Sequence, residues 1–554
     1  MDGSREQVED RLSDLPDGVL GHVLSFLGAK EAARAAVLSR RYRHAFAGVH
    51  TLSFLQEETS ASATTGAARS DLSYELDEAE LRRNADFVAL VDAAFSCRRR
   101  CAGSGRDPGL RALRVVFEAF HGSLADHVDR WLSAAAAALE ELHVDARRGD
   151  ERGVCARERP DWYFGQPLYS WDIKELKDMS DGEDSDEFRD PRTRDLAYRI
   201  PTWLHSSGAA AGLRTLRLAS CFLHLPPAAE DAKPLRFPSV ETLELVCIPD
   251  SGKDIQRLVS SCGRLADLTL DSCRRVRALA VMDRRLRRLA LRCCHGARLA
   301  VNATDLRALE YKGPVPGDSA LCFHGSPQAI LSCDIEFCGK MESGEAELAN
   351  MARFLGRFAA ARWLRLGSPR LLGAGIDKIS SYPLGWTPLP CIRHLELKGT
   401  LSSKSPYANG GEPEDTETIS SASAASAMAA VARILEQTPN LEVLTLLILH
   451  DVDEFPRYQD EVTCDPTAGL EVPGVVPAAA IPCLRDGVRE MNVVNYQGRV
   501  AQRKLLKVLL GAAAALEELY VVFPPGKFGV QSMLMAEIET WVMHRPRPVK
   551  LVFG

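Results

Sequence analysis

Apolar residues along this chain recur in one phrase, Leu-x-x-Leu-x-Leu or a close variant. It reads Leu110-Leu113-Val115, Leu139-Leu142-Val144, Leu213-Leu216-Leu218, Val240-Leu243-Leu245, Leu265-Leu268-Leu270 and Leu286-Leu289-Leu291. It continues with Leu306-Leu309-Tyr311, Ile330-Cys333-Ile335, Ala361-Leu364-Leu366, Ile392-Leu395-Leu397, Leu441-Leu444-Leu446, Val488-Met491-Val493 and Leu516-Leu519-Val521. In each copy the last two apolar positions lie two apart, as in a strand that turns alternate side chains inward. The stretches between copies read as helical or irregular. Successive copies begin 29, 74, 27, 25, 21, 20, 24, 31, 31, 49, 47 and 28 residues apart. Most of these intervals fall in or near the ~20–29-residue period of leucine-rich repeats.

The long intervals carry insertions. Residues 150–200 hold an acidic run from Asp178 to Glu187, 400–427 are rich in Ser, Gly and Ala, and 451–482 are rich in Pro. Such compositions are expected to form long, partly disordered loops. A doubly wound α/β sheet also spaces its strands regularly. One detail separates the two folds. Cys221, Cys273, Cys294 and Cys338 each stand three residues after the last apolar strand position, where leucine-rich repeats place Asn or Cys at the turn out of the strand. The expected class is α/β, a leucine-rich-repeat solenoid (a horseshoe) with long loop insertions. A repeat of this kind makes a surface rather than a pocket, which points to binding before catalysis.

Residues 11–50 follow a different period. Pro16 suits the first turn of a helix, and Val19, Leu20, Val23, Leu24 and Leu27 fall on one helical face. Gly28 is expected to end that helix, and a second is expected from Glu31 to Phe46. Two short helices cannot bury much surface alone. Their apolar stripe therefore needs a partner, either the following domain or another protein. Residues 56–70 are small and polar and read as a linker or mobile loop.

The stretch Arg11-Leu12-Ser13-Asp14-Leu15-Pro16-Asp17-Gly18-Val19-Leu20 through Leu27, followed by Val37-Leu38-Ser39-Arg40-Arg41-Tyr42-Arg43, resembles the F-box of plant proteins. Pro482-Cys483-Leu484 through Tyr496 and Gly498, then Leu505 to Leu519, is similar to the FBD-type segment that closes plant F-box/leucine-rich-repeat proteins, a strand, a helix and a strand. The resemblance divides the chain into an all-α F-box at 11–50, a linker at 51–71, repeats at 72–480 and an FBD-like segment at 481–554. It implies a substrate-recognition subunit of an SCF-type ubiquitin ligase. The F-box would bind the Skp-type adaptor, and through it a cullin, by way of Leu12, Leu15, Pro16, Val19, Leu20, Val23, Leu24, Leu27, Val37, Leu38 and Tyr42. An unknown protein substrate would be read by outward strand positions: Arg217, Glu244, Thr269, Asp271, Arg292, Glu310, Lys312, Arg365, Glu396 and Lys398. The alternative is a binding scaffold that uses the same parts without a role in degradation. The chain departs from the family at Tyr42, where Trp is usual, and at Gly18, which weakens the first helix by up to ~1 kcal/mol relative to Ala.

Charge and composition narrow this little further. A net charge of -7 from 68 basic and 75 acidic residues gives no general pull toward nucleic acid or anionic membrane. No apolar run reaches the ~18 residues of a membrane span, and the polar start does not read as a secretory signal. The expected location is the cytosol, the nucleus or both, with the 15 cysteines as reduced thiols. Residues 274–298 hold nine arginines against one acid, Asp283. A solvated helical back face is the first reading, and a dock for an acidic or phosphorylated segment the second. The acidic run 178–187 could lie across it, and Ser180 and Ser185 within that run are phosphorylation candidates. Cys97 and Cys101 form a lone pair without zinc spacing, Gly103-Ser104-Gly105 reads as a connector, and no catalytic triad or cofactor motif is present. No enzyme activity and no cofactor are expected.

Overall fold

The computed structural model describes residues 15–56, 78–102, 109–118, 120–147, 197–206, 211–226, 235–302, 304–325, 327–338, 345–368, 387–401, 428–449, 481–525 and 528–554. They divide into two units, Met1–Leu279 and Ala280–Gly554. Leu12, the linker beyond residue 56, the connector Gly103–Gly105, the acidic run 178–187 and the insertions at 402–427 and 451–480 lie outside the described residues.

The first unit begins with α1 (Asp17–Leu24), α2 (Ala29–Leu38) and α3 (Arg40–Ala47). The single helix expected from Glu31 to Phe46 is broken at Ser39. That residue is extended (φ -152°, ψ 161°), and its Oγ accepts the Tyr42 amide at 3.1 Å. Ser competes with the helix by offering such a cap. Gly28 does not end α1, which stops at Leu24; it precedes α2.

α3 runs through Gly48 directly into β1 (Thr51–Leu55), which pairs in parallel with β2 (Ala112–Phe117). Residues 51–55 are therefore a strand and not the expected linker. Val49-x-x-Leu52-x-Phe54 is itself a copy of the repeat phrase with Phe in last place, and all three side chains are buried. β3 (Glu141–Ala146), β4 (Thr215–Ala219), β5 (Thr242–Val246) and β6 (Asp267–Asp271) follow in chain order, each parallel to the one before. Register stacks the inward residues in two columns. One is Leu52, Leu113, Leu142, Leu216, Leu243 and Leu268; the other is Phe54, Val115, Val144, Leu218, Leu245 and Leu270. Burial of each such side chain contributes about 1.5–3 kcal/mol. Further apolar residues come from α4 (Glu78–Ala102), α5 (Ala125–Ala135) and α6 (Gly252–Ser261). Phe87 and Trp131 of these helices cluster edge-on with Phe117, Phe120 and Tyr198.

β7 (Ala278–Val281) lies at the division between the units. The second unit is a ladder of β8 (Arg288–Arg292), β10 (Ala308–Gly313), β12 (Ser332–Phe337), β13 (Trp363–Gly367), β14 (His394–Gly399), β15 (Val443–Ile448), β16 (Glu490–Val494), β17 (Glu518–Val522) and β18 (Lys550–Phe553). Each pairs in parallel with the next. β9 (Arg298–Asn302) and β11 (Leu321–His324) form a separate parallel pair. Helices α7 (Glu345–Gly356), α8 (428–436), α9 (Val500–Ala512) and α10 (Phe528–Met543) stand between strands in sequence. Every one of the thirteen phrases thus ends in a ladder strand. The strand, helix and strand foreseen for 481–554 are β16, α9 and β17; α10 and β18 follow them. Residues 274–298 contain strands and turns, not the expected helical face, because Leu279-Val281 and Leu289-Leu291 alternate with period two.

The turns out of β4, β5, β6, β8 and β16 share one geometry. Ser220, Cys247, Ser272, Cys293 and Asn495, each two residues past the last inward apolar residue, have φ between 51° and 63°. This left-handed conformation is uncommon for residues other than Gly. The amides here bond forward to the next strand: Ser220 to Val246 O at 2.9 Å, Cys247 to Asp271 O at 2.8 Å and Cys293 to Lys312 O at 2.6 Å. The following residue then drops into the core, as Cys221, Ile248 and Cys273 do. Cys273 Sγ also donates to Leu245 O at 3.5 Å. Burial pushes the Cys221 thiol well above its ordinary pKa and Cys262 up to about 12. These are neutral packing groups.

Candidate protein-binding surfaces

Two surfaces carry the candidate residues. The first belongs to the N-terminal helices. Leu20 and Leu24 are 1% and 3% exposed and turn inward. α1 packs there on α3, and Gly21 permits the approach: a Cβ on it would lie 3.1 Å from Ala45 O and 3.2 Å from Gly48. α3 in turn packs on α4. Ser25 Oγ donates to Gly21 O at 2.8 Å and accepts the His50 amide at 3.2 Å. Arg98 of α4, from the Cys97–Cys101 stretch, is buried and donates to Val49 O, and to Gly109 O at 3.0 Å. Gln56 Nε2 donates to Asn84 Oδ1 at 2.8 Å, and Gln56 Oε1 accepts the Glu118 amide at 2.9 Å. The helices are therefore built onto β1 and α4.

The other face is open. Val19 is 43% exposed and Phe26 77%, with Pro16, Val23 and Leu27 also exposed on this part of the chain. Val37 at the end of α2 is 76% exposed. Leu15 and Tyr42 are half-buried, and the Leu38 side chain lies outside what is described. Arg41 ties α1 to α3 through Asp17 Oδ1 at 2.9 Å and Leu15 O. The set read from sequence thus divides, and Leu20 and Leu24 are corrected to core. Residues one apart differ by ~100° around a helix, so Val19 and Val23 face out when Leu20 and Leu24 face in. Phe26 was missed, although its place seven residues after Val19 sets it on the same side.

In each unit the second surface is the strand face opposite the leucine columns, and all ten candidate substrate residues occupy such outward positions. In the first unit Arg114, His143, Arg217, Glu244 and Thr269 are register neighbours, and Asp271 lies two residues beyond Thr269 on β6. Arg217 pairs with Glu244 at 3.3 Å. Burial, and then Arg114, lowers the His143 pKa to about 4, so this imidazole is neutral near pH 7.

In the second unit one row is Glu310, Asp334, Arg365 and Glu396; the next is Arg292, Lys312, Glu336, Gly367 and Lys398. Arg292 grips Glu310 with two bonds of 2.5 and 2.9 Å. Arg365 bridges Asp334 at 3.0 Å and Glu396 at 2.9 Å. Glu336 takes Lys312 at 2.9 Å and Lys398 at 2.6 Å. The second contact spans two strands and passes Gly367, which has no side chain to block it; a Cβ there would lie 3.3 Å from Glu336 Cγ and 3.5 Å from Lys398 Cβ. Burial alone would raise Glu336, but its bonds from Lys398 and Lys312 hold it below the ordinary carboxylate value. Asp334 and Glu336 were absent from the candidate set, although their alternation with Cys333, Ile335 and Phe337 is the same signal. The candidates are half-buried apart from the exposed Arg217, and eight of the ten, all but Thr269 and Asp271, stand in ion pairs.

Comparison with known families and proteins gives the arrangement a context. Residues 12–52 match the F-box domain, and residues 188–319 match the leucine-rich repeats described as "FBD-associated F-box protein At5g56370, LRR repeats". Neither matched family is an enzyme family. The F-box/LRR-repeat protein At3g59200 of Arabidopsis thaliana is 53% identical over 45 residues, 8% of this chain and 9% of that protein. The putative F-box protein At1g58310 of the same plant is 48% identical over 54 residues, 10% of each. The putative F-box/LRR-repeat protein At5g02930, also from Arabidopsis thaliana, is 34% identical over 108 residues, 17% of this chain and 23% of that one. The matched part thus spans about a tenth to a quarter of the length of these relatives. An F-box followed by leucine-rich repeats of the FBD-associated kind makes the chain similar to the plant F-box/leucine-rich-repeat proteins.

Proposed function

We propose that the chain is the substrate-recognition subunit of an SCF-type ubiquitin ligase. F-box domains generally bind Skp-type adaptors. The observation that carries the reading is the apolar outer face of α1 and the turn that follows it (Val19, Val23, Phe26 and Leu27), left exposed while the inner face of α1 is sealed against α3. Taking such apolar side chains out of water is the main driving force of protein association. Each parallel ladder is read as a stretch of leucine-rich-repeat solenoid, and its outward rows as the surface that holds the target. In this reading the chain performs no bond chemistry. It raises the effective concentration of a captured protein beside a ubiquitin-charged enzyme brought by a cullin, in the cytosol or nucleus.

The test is capture of a Skp-type adaptor by the full chain and by the double variant Val19→Glu, Val23→Glu. Both positions face out, so the variant should fold and lose the adaptor. Retained capture would refute the interface. Deletion of residues 1–50 is the poorer control, because it uncovers α4 and removes Val49 O, one acceptor of Arg98. Adaptor capture without any change in target ubiquitination would favour a scaffold.

A further inference from the structure

A second ladder runs along the strand starts. The residue after the first apolar position of each phrase is bonded backbone to backbone across the sheet. In the first unit Glu140 N donates to Arg111 O at 2.7 Å, Arg214 N to Glu140 O at 2.7 Å and Glu241 N to Arg214 O at 2.8 Å. In the second, Arg307 N donates to Arg287 O, Leu331 N to Arg307 O and Arg362 N to Leu331 O, each at 2.8 Å. Arg393, Glu442, Arg489 and Glu517 continue the series. Several of these rungs neutralise one another: Arg111 with Glu140 at 3.3 Å, Arg393 with Glu442 at 3.3 Å and Arg489 with Glu517 at 2.8 Å.

The alternation fails over β8, β10, β12 and β13. There the rungs are Arg287, Arg307, Leu331 and Arg362, with Arg288 beside the first. All five are exposed, Leu331 by 41%. Among the described residues no carboxylate pairs with any of the four guanidiniums. Neighbouring strands lie ~4.8 Å apart, so the strip is about 14 Å across. Like charges at such spacing oppose folding, and each guanidinium leaves a fork that fits a carboxylate unused. Folding alone gives this run no purpose.

We propose that the strip docks an extended segment of a partner protein rich in Asp and Glu, with an apolar side chain over Leu331. Charge spread over the starts of three strands, with Leu331 between them, matches several single carboxylates better than one concentrated phosphate. The exposed leucine in its middle, on a chain of net charge -7, disfavours a nucleic-acid track. This inference does not rest on adaptor docking, and the measurement uses the full chain alone.

The probe is a short fluorescent peptide of glutamates around one leucine, with a glutamine counterpart, read by anisotropy at low salt. The acidic peptide should bind and the neutral one should not. The triple variant R287A, R307A, R362A should weaken binding about tenfold or more. The triple variant R111A, R393A, R489A removes the same charge from paired rungs and should leave binding unchanged; far-UV spectra check that both fold. No binding of the acidic peptide, or equal loss in the two triple variants, would overturn the proposal. So would tighter binding of an oligonucleotide or of phosphatidylserine vesicles through the same arginines. Binding that emerges only after the acids of 178–187 are made neutral would assign the strip to that segment instead.

Discussion

Gly498 and His143 show how much a single position can carry. Gly498 has φ +71°, and a Cβ on it would collide with Leu534 of α10, a buried residue. Gly498→Ala therefore meets backbone strain and a core overlap together. It should lower stability by roughly 1–3 kcal/mol, visible as a lower thermal midpoint. His143 acts through pH. Its folded pKa of about 4 lies below the ordinary value of 6.5, so the unfolded chain binds its proton more readily. The stability it contributes is full above about pH 6.5 and is lost as pH falls toward 4. Partial exposure screens the effect to an order of 1–2 kcal/mol. His143→Gln should flatten the fall in thermal midpoint between pH 7.5 and 5; an unchanged slope would count against it. Neither position was legible in the sequence, because a collision with Leu534 or a seat between Arg114 and Arg217 depends on register.

Elements were far more legible than their partners. The period-two phrase located thirteen ladder strands because each inward leucine is repeated by its neighbour's. It overlooked β1, where Phe54 replaces the final leucine, and β18, whose phrase begins at Pro548. The helical pattern of 31–46 was read as one element because apolar spacing alone does not register a cap. Ser39 supplies that cap, and Ser39→Ala should cost about 1 kcal/mol. Slower amide exchange at Tyr42 in the variant would contradict this role. The inward and outward halves of α1 were merged for the same reason: five apolar residues within nine positions fit one stripe loosely and two faces better. The arginine-rich stretch was assigned to a helix because its charges hide a strand alternation. Its unpaired rungs emerged only when backbone bonds showed which arginines stand side by side.

At the scale of the molecule, the F-box match and the repeat match occupy different parts of the chain, and the adaptor variant Val19→Glu, Val23→Glu should separate their roles. Loss of adaptor capture with an unchanged thermal midpoint is the expected outcome. A large drop in midpoint would mean that the face is structural. The join between α3 and β1 has a mechanical consequence. Only Gly48, Val49 and His50 separate α3 from β1, and Arg98 and Ser25 bond across this junction, so the N-terminal helices pack directly on the first ladder. From β1 to β6 the ladder advances by about 24 Å at ~4.8 Å per strand. Under the proposed function, a target seated one strand further along would be displaced by a fixed step relative to the adaptor. The spacing of the strands would then set which part of that target lies nearest the adaptor.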